Sequence, residues 1–247
     1  MWGSERLQGK VVLVSGGAQR LGAAIVRAAW AAGMQVAFQY HASTHAAEAL
    51  CAEARQGGHT VWAWQGDWRN PAHPAAFVTA ACEHFGGVDV LVNNAGIWRS
   101  TPLGQVHADD WHELYQVNVV AAHMAVQQAT PSLRERGGAV VNICDAGVYR
   151  PWLNYTPYLA SKGALAAMTM ALARELAPAV RVNGVAPGLA LVPDTWSEER
   201  EAQAVANIPL KRAGTAQDVA EAVLFLAAAP YITGVVVPVD GGVSLRG

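Results

Sequence analysis

From Val11 to about Val185, short β-branched runs alternate with longer Ala-rich stretches of helical period. That alternation admits few folds, because a segment long enough to cross back over a sheet follows each strand-like run, and neighbouring strands then come out parallel. The spacing predicts strands at Val11–Ser15, Gln35–Gln39, Thr60–Gln65, Val88–Asn93, Ala139–Cys144, Arg181–Val185 and Val235–Val237. It predicts helices at Leu21–Ala32, Thr44–Gln56, Pro71–His84, about Ala108–Arg136, Pro157–Ala177 and Ala216–Ala228. Seven strands with helices between them imply an α/β architecture, a doubly wound parallel sheet covered on both faces. No linker or repeat divides residues 1–247, so one domain is expected. From Pro187 to Asn207 the pattern breaks: Pro187, Gly188, Pro193 and the charged run SEERE give neither strand nor core character. A flap over a site is expected there, at about 188–207.

Composition excludes several classes. With 17 Lys plus Arg against 19 Asp plus Glu there is no basic footprint for nucleic acid. At 52% apolar and 15% charged the chain can bury a large core and is not globally disordered. The charge-free stretch Ala28–Ala47 is interrupted by Gln, His, Ser and Thr, so no membrane span is expected. The start, MWGSERLQGK, lacks a hydrophobic signal core. Cys51, Cys82 and Cys144 are few and scattered, which fits a reducing cytoplasm. His41 and His45 form an HxxxH with no third ligand at plausible spacing, so no metal site is expected.

After the first strand comes Ser15-Gly16-Gly17-Ala18-Gln19-Arg20-Leu21-Gly22, opening directly into an apolar helix. Glycines there let the backbone approach a pyrophosphate, and the helix N-terminus offers amide donors and positive potential. Past the second strand, Tyr40-His41-Ala42-Ser43 contains no acid to bind both ribose hydroxyls. NADPH is therefore the expected cofactor, with Arg20 and Ser43 near its 2′-phosphate and His41 near the adenosine ribose. Tyr158 and Lys162 stand at i and i+4, on one helix face, where an ammonium beside a phenol would favour the ionised phenol.

The glycine turn, Asn93-Asn94-Ala95-Gly96, Asn118, Tyr158-Leu159-Ala160-Ser161-Lys162, Pro187-Gly188 and Val239-Asp240-Gly241-Gly242 occur in order. Together they resemble the short-chain dehydrogenases/reductases from Lys10 to the C-terminus, which implies a Rossmann-type fold. The resemblance further implies cofactor contacts at Asp67-Trp68, Asn94, Ala95, Gly96, Pro187 and Gly188, and a relay in which Asn118 orients a water linking Lys162 to solvent. It also implies a homotetramer built on the long helices and the last strand.

One position departs from the family pattern. Thirteen residues before the Tyr the family usually has Ser, and here stands Asp145. Two anions about 4 Å apart repel by roughly 4 kcal/mol at an effective dielectric near 20, so Asp145 and Tyr158 should rarely both be ionised. A retained proton suits donation to a basic acceptor such as a ring nitrogen. Asp there resembles the pteridine and dihydropterin reductases, as do Arg20 in place of Gly, Asn154-Tyr155-Thr156-Pro157-Tyr158, Arg181-Val182-Asn183-Gly184-Val185 and Tyr231-Ile232-Thr233-Gly234. Ala42 and Ala190 stand where that branch often has Arg and Ser. The same resemblance makes Trp98 a stacking surface for a flat heterocycle and places Arg20 and Leu189 beside it. Trp62, Trp64 and Trp68 read as packing, the first two on one strand face.

The expectation is an NADPH-dependent reductase of a pterin-like ring, with Asp145, Tyr158, Lys162 and Asn118 as its proton machinery. One alternative is a ketone or 3-oxoacyl reductase of the same family. Another is a weakly catalytic NADP-binding sensor, which would bind NADPH stoichiometrically without turnover.

Overall fold

The computed structural model describes residues 4–192 and 196–245, so Pro193 of the expected flap lies outside the described residues. Seven strands form one all-parallel sheet: β1 (Val11–Val14), β2 (Gln35–Tyr40), β3 (Val61–Gln65), β4 (Val90–Asn93), β5 (Ala139–Ile143), β6 (Arg181–Pro187) and β7 (Val236–Val239). Their order is β3-β2-β1-β4-β5-β6-β7. Registers such as Val12↔Val36, Val12↔Val90 and Asn142↔Gly184 fix the pairing.

Alternate residues of each strand feed two cores, which is why the runs read as continuously apolar. Val12, Val14, Val36, Phe38, Val92 and Ile143 pack against α1 (Arg20–Ala31), α2 (Thr44–Gln56) and the last long helix, Ala216–Ala228. Val11, Leu13, Ala37, Leu91, Val140 and Val182 pack against α3 (His73–Phe85) and the two long central helices on the opposite face. Trp62 stacks on His84, and Trp64 meets Trp68 and Phe77, so all three tryptophans serve packing.

The helix expected over 108–136 is not uniform. It comprises α4 (Ala108–Tyr115), a single π turn at Gln116–Val120 and α5 (Ala121–Arg136). One extra residue per turn re-aims the side chain at 118, a local widening that hydrophobic period alone does not encode. α6 covers Thr156–Leu176. The expected flap also contains a helix, α7 (Glu198–Ala206), started by the Ser197 hydroxyl accepting from the Arg200 amide and by Glu198, Glu199 and Glu201 in its first turn. SEERE is thus a helix start, and α8 (Ala216–Ala228) follows behind a Thr215/Asp218 capping box. No described helix is long and apolar enough to cross a membrane.

At the sheet end away from the strand C-termini, buried Asp89 ties three elements together. It accepts from Lys10 Nζ and the Val11 amide, both at 2.9 Å, and from Arg136 at 3.3 Å. Asp89→Ala should lower the unfolding free energy by about 2–3 kcal/mol, since it leaves an amide and two cations unmatched. Chemical denaturation measures this. kcat/KM at 25 °C should stay within twofold, because the carboxylate lies at the opposite end of β4 from the crevice.

Candidate active site

The strand order reverses between β1 and β4, and the crevice beyond their C-terminal ends is where open α/β sheets bind ligands. Backbone hydrogen bonding builds it. Ser15 Oγ accepts from the amides of Asn94 (3.0 Å) and Ala95 (2.9 Å), while Asn94 Nδ2 donates to the carbonyls of Ser15 and Gly16. From β2, the Gln39 side chain accepts from the Gly16 amide at 2.8 Å and donates to the Gly66 carbonyl, bracing the turn from behind. Sequence reading passed over Gln39, for which the available signal was a polar side chain near the end of an apolar strand.

Glycine is required at two points of this turn. Gly16 has φ +64°, and a Cβ there would stand 3.0 Å from the Ala95 Cα. At Gly22 a Cβ would lie 2.0 Å from the Gly16 carbonyl oxygen. Arg20 also has φ +50°, a conformation that glycine adopts freely and that costs another residue about 1 kcal/mol. No side chain caps α1, which leaves its first amides for an anion. Tight glycines and an uncapped helix start fit a dinucleotide pyrophosphate.

A cavity of about 810 Å³ runs along the strand ends. Gly16, Arg20, Leu21 and Gly22 line it from the first turn, and Tyr40, His41 and Ser43 from the end of β2. Asn94, Ala95, Gly96 and Trp98 follow β4, Asp145 follows β5, Tyr158 and Lys162 come from α6, and Pro187, Gly188 and Leu189 follow β6. Three expected cofactor residues do not line it. Ser15 sits one layer behind, holding the Asn94 turn. Trp68, only 4% exposed, is taken up by the aromatic core with Trp64 and Phe77. Asp67 stands beside His41 (3.4 Å) and Arg69, so it bears on the cavity through His41.

Tyr158, Asp145 and Lys162 converge as buried groups on the cavity floor. The Tyr158 hydroxyl donates to Asp145 Oδ2 at 2.6 Å, and the other carboxylate oxygen accepts from the Gly147 amide at 2.7 Å. Burial pushes the Asp145 carboxyl above the usual carboxylate range, against the pull of the Tyr158 and Gly147 donors and of the Lys162 charge. Burial, and then the facing carboxylate, pushes the Tyr158 phenol well above 10. The pair therefore does not ionise twice, as expected from the sequence.

One expectation needs correction. Lys162 does not bring the phenol below its usual range: its Nζ donates to the Ile143 carbonyl at 2.8 Å, burial lowers its own pKa, and burial, then Asp145, raises the phenol. Asn118 acts as a clamp. Its Nδ2 donates to the Ile97 carbonyl and Ser161 Oγ, and its Oδ1 accepts from the Ile97 amide, which uses both amide hydrogens. The π turn aims it there. The neighbouring Cys144 thiol, pushed up to about 11 mainly by burial, is no nucleophile at neutral pH.

Beside the pair lies an aromatic wall that sequence reading saw only in part. Trp98, 52% exposed, meets Tyr155 at 5.1 Å; Tyr155 meets the Trp152 edge at 5.7 Å; and Trp152 lies nearly parallel to the Tyr158 ring at 6.3 Å. Trp152 sits in an irregular loop with no period to single it out. Trp196, Arg200 and Arg150, also missed, line the same cavity.

Fold and site define a nicotinamide-dinucleotide oxidoreductase. The family model described as Enoyl-(Acyl carrier protein) reductase matches residues 16–244. A 3-oxoacyl-(acyl-carrier-protein) reductase of Staphylococcus aureus is 35% identical over 241 residues, spanning 94% of this chain and 97% of its own. Among solved structures, a blue fluorescent protein from a metagenomic library, in complex with NADPH, is 39% identical with a TM-score of 0.90, covering 96% of this chain and 98% of that one. A short-chain dehydrogenase/reductase of Serratia marcescens is 36% identical with a TM-score of 0.91, covering 96% and 99%. The chain belongs to the short-chain dehydrogenase/reductase family. These relatives carry no mark of the pterin branch in their names, and the curated one is an oxoacyl reductase.

Gly22→Ala should raise the dissociation constant for NADPH at least tenfold, about 1.4 kcal/mol, since backbone rather than a side chain must yield. Quenching of tryptophan fluorescence on titration measures it.

Proposed function

We propose that the chain is an NADPH-dependent reductase of a ketone, the 3-oxoacyl class included, in which Tyr158 and Asp145 together deliver the proton. The observation carrying this reading is the 2.6 Å hydrogen bond from the Tyr158 hydroxyl to the buried Asp145 carboxyl, on the floor of the dinucleotide-type cavity. NADPH, when bound, supplies the hydride. The Gly16–Gly22 turn and the start of α1 would hold its pyrophosphate, and Arg20, His41 and Ser43 its adenosine end. The Staphylococcus aureus 3-oxoacyl reductase supports the oxo substrate, and the NADPH complex of the metagenomic protein supports the cofactor.

In the reduction a C–H bond forms at the carbonyl carbon, the C=O π bond breaks, and the oxygen takes the proton of the Tyr158 hydroxyl. Burial keeps that proton on the phenol until a stronger base, the developing alkoxide, presents itself. When protonated, Asp145 donates where the family's serine hydroxyl would, and it can restore the proton to Tyr158. When ionised, it holds the phenol proton and sets a negative charge beside the forming alkoxide. Lys162, fixed on the Ile143 carbonyl, keeps a cation below both groups.

Asp145 itself favours a second reading, reduction of a C=N bond in a pterin-like ring. A carboxyl kept protonated by burial is a stronger donor to a ring nitrogen than a serine hydroxyl, and Trp98, Tyr155 and Trp152 offer flat apolar faces to such a ring.

The protonation sign is testable. Because the Asp145 pKa lies above its ordinary value, the doubly protonated pair persists to higher pH than an ordinary carboxylate would allow, and kcat for reduction should fall as pH rises through that pKa. Asp145→Ser should remove this limb while keeping or raising ketone turnover, whereas a pterin enzyme would lose at least tenfold, about 1.4 kcal/mol. Tyr158→Phe should lose at least about a hundredfold in kcat for either substrate with NADPH binding intact. Steady-state rates with 3-oxoacyl thioesters, simple ketones and dihydropterins, across pH, decide between the readings.

A further inference from the structure

We infer that the substrate carries an anionic group remote from its reacting carbon, held by Arg150 and Arg200. This rests on the proposed ketone reduction for the position of the reacting carbon, though not for the anion site itself.

Charge around the cavity motivates it. Arg20, Arg150, Arg200 and Lys162 line it, and Asp145 is the one carboxylate among its described lining residues. Lys162 is committed to the Ile143 carbonyl, and Arg20 lies by the dinucleotide turn. That leaves two guanidinium groups. Among the described residues no carboxylate pairs with Arg150 or Arg200; the exposed Arg55, Arg134 and Arg174 have none either, so what distinguishes Arg150 and Arg200 is their place on the cavity wall. The acids of α7, Glu198, Glu199 and Glu201, do not line the cavity.

Topology puts both cations at the substrate end. Arg150 lies five residues beyond Asp145, just past the short 3₁₀ turn Ala146–Val148 at the end of β5. Arg200 belongs to the segment that leaves β6, and its guanidinium stacks over the Trp196 ring at 4.5 Å. The pyrophosphate turn follows β1, and the Tyr40–Ser43 segment follows β2, on the other side of the reversal point. Neither arginine is therefore spent on the cofactor phosphates. A guanidinium fork takes a carboxylate or phosphate in two parallel hydrogen bonds, and stacking on an indole leaves that edge free. The Trp98–Tyr155–Trp152 wall accommodates the apolar body between anion and carbonyl.

The test uses the full chain with NADPH and two probe pairs, 4-acetylbenzoate and 5-oxohexanoate, each against its methyl ester. Wild type should turn over at least one acid with kcat/KM at least tenfold above that of its ester, and added salt should shrink the difference. In Arg150→Gln and Arg200→Gln the loss for that acid should exceed the loss for its ester at least fivefold, mainly in KM, with NADPH affinity unchanged. Neither acid preferred over its ester, or equal losses for acid and ester, would overturn the inference. If no ketone is reduced, the ketone reading fails by itself. Calorimetric binding of the same probes to the protein–NADP⁺ complex then decides: binding of acid over ester that the double variant abolishes supports the arginines, and charge-independent or absent binding removes them.

Discussion

Everything at the site depends on one set of hydrogen bonds across the reversal of strand order. β1 and β4 are neighbours in the sheet, yet the chain between them winds through the whole β2–β3 half, so nothing local in sequence holds their ends together. Ser15 Oγ does so, by accepting two successive amides of the Asn94 turn, while Asn94 returns two bonds to the carbonyls of the glycine turn. All these groups are at least partly buried, and leaving one unmatched costs about 1–3 kcal/mol. The crevice is thus rigid before any ligand arrives, which is what allows backbone amides to act as a preformed cradle.

The same rigidity governs the proton pair. Tyr158 and Lys162 are carried by α6 and Asp145 by the end of β5, and Asn118 ties α6 and the loop after β4 to the π turn. Burial raises both acidic groups, so the pair holds at least one proton across the neutral range, and the lysine contributes charge without a direct bond to the phenol. The consequence is a donor pair that keeps its phenolic proton until a stronger base is presented to it.

The sheet, most of its helices and the glycine turn were legible because their signals are periodic or positional: apolar runs between crossovers, glycines where backbone meets backbone, Tyr and Lys one turn apart. Asp145 was legible as a departure from a pattern, and Coulomb repulsion sufficed to foresee a shared proton. What failed had no such signal. Trp68 reads as packing by its aromatic neighbours and as a cofactor contact by its place after Asp67, and the turn that follows β3 settles it by directing the ring into Trp64 and Phe77. The rise of the Tyr158 pKa is not visible in the spacing, which brings Lys162 onto the same face but shows neither the burial of the phenol nor the hydrogen bond that Lys162 donates to the Ile143 carbonyl. Nor does a polar run such as SEERE announce a helix when no apolar stripe accompanies it.

The two halves of the cavity differ in how they are supported, and this explains why family is easier to assign than substrate. The cofactor half is made of strand ends and glycines welded into the two cores, where most substitutions would unsettle the sheet. The half proposed to take substrate is walled by Trp98, Trp152, Leu153 and α7, all largely exposed, and α7 has no buried residue at all. Its helix is held by the Ser197 cap and first-turn glutamates, interactions worth about 1 kcal/mol each. Substitutions on this wall cost little stability, so they are free to follow the ligand. Arg150 and Arg200 lie on this side, where the fold imposes least, whereas Asp145 is buried where β5 ends.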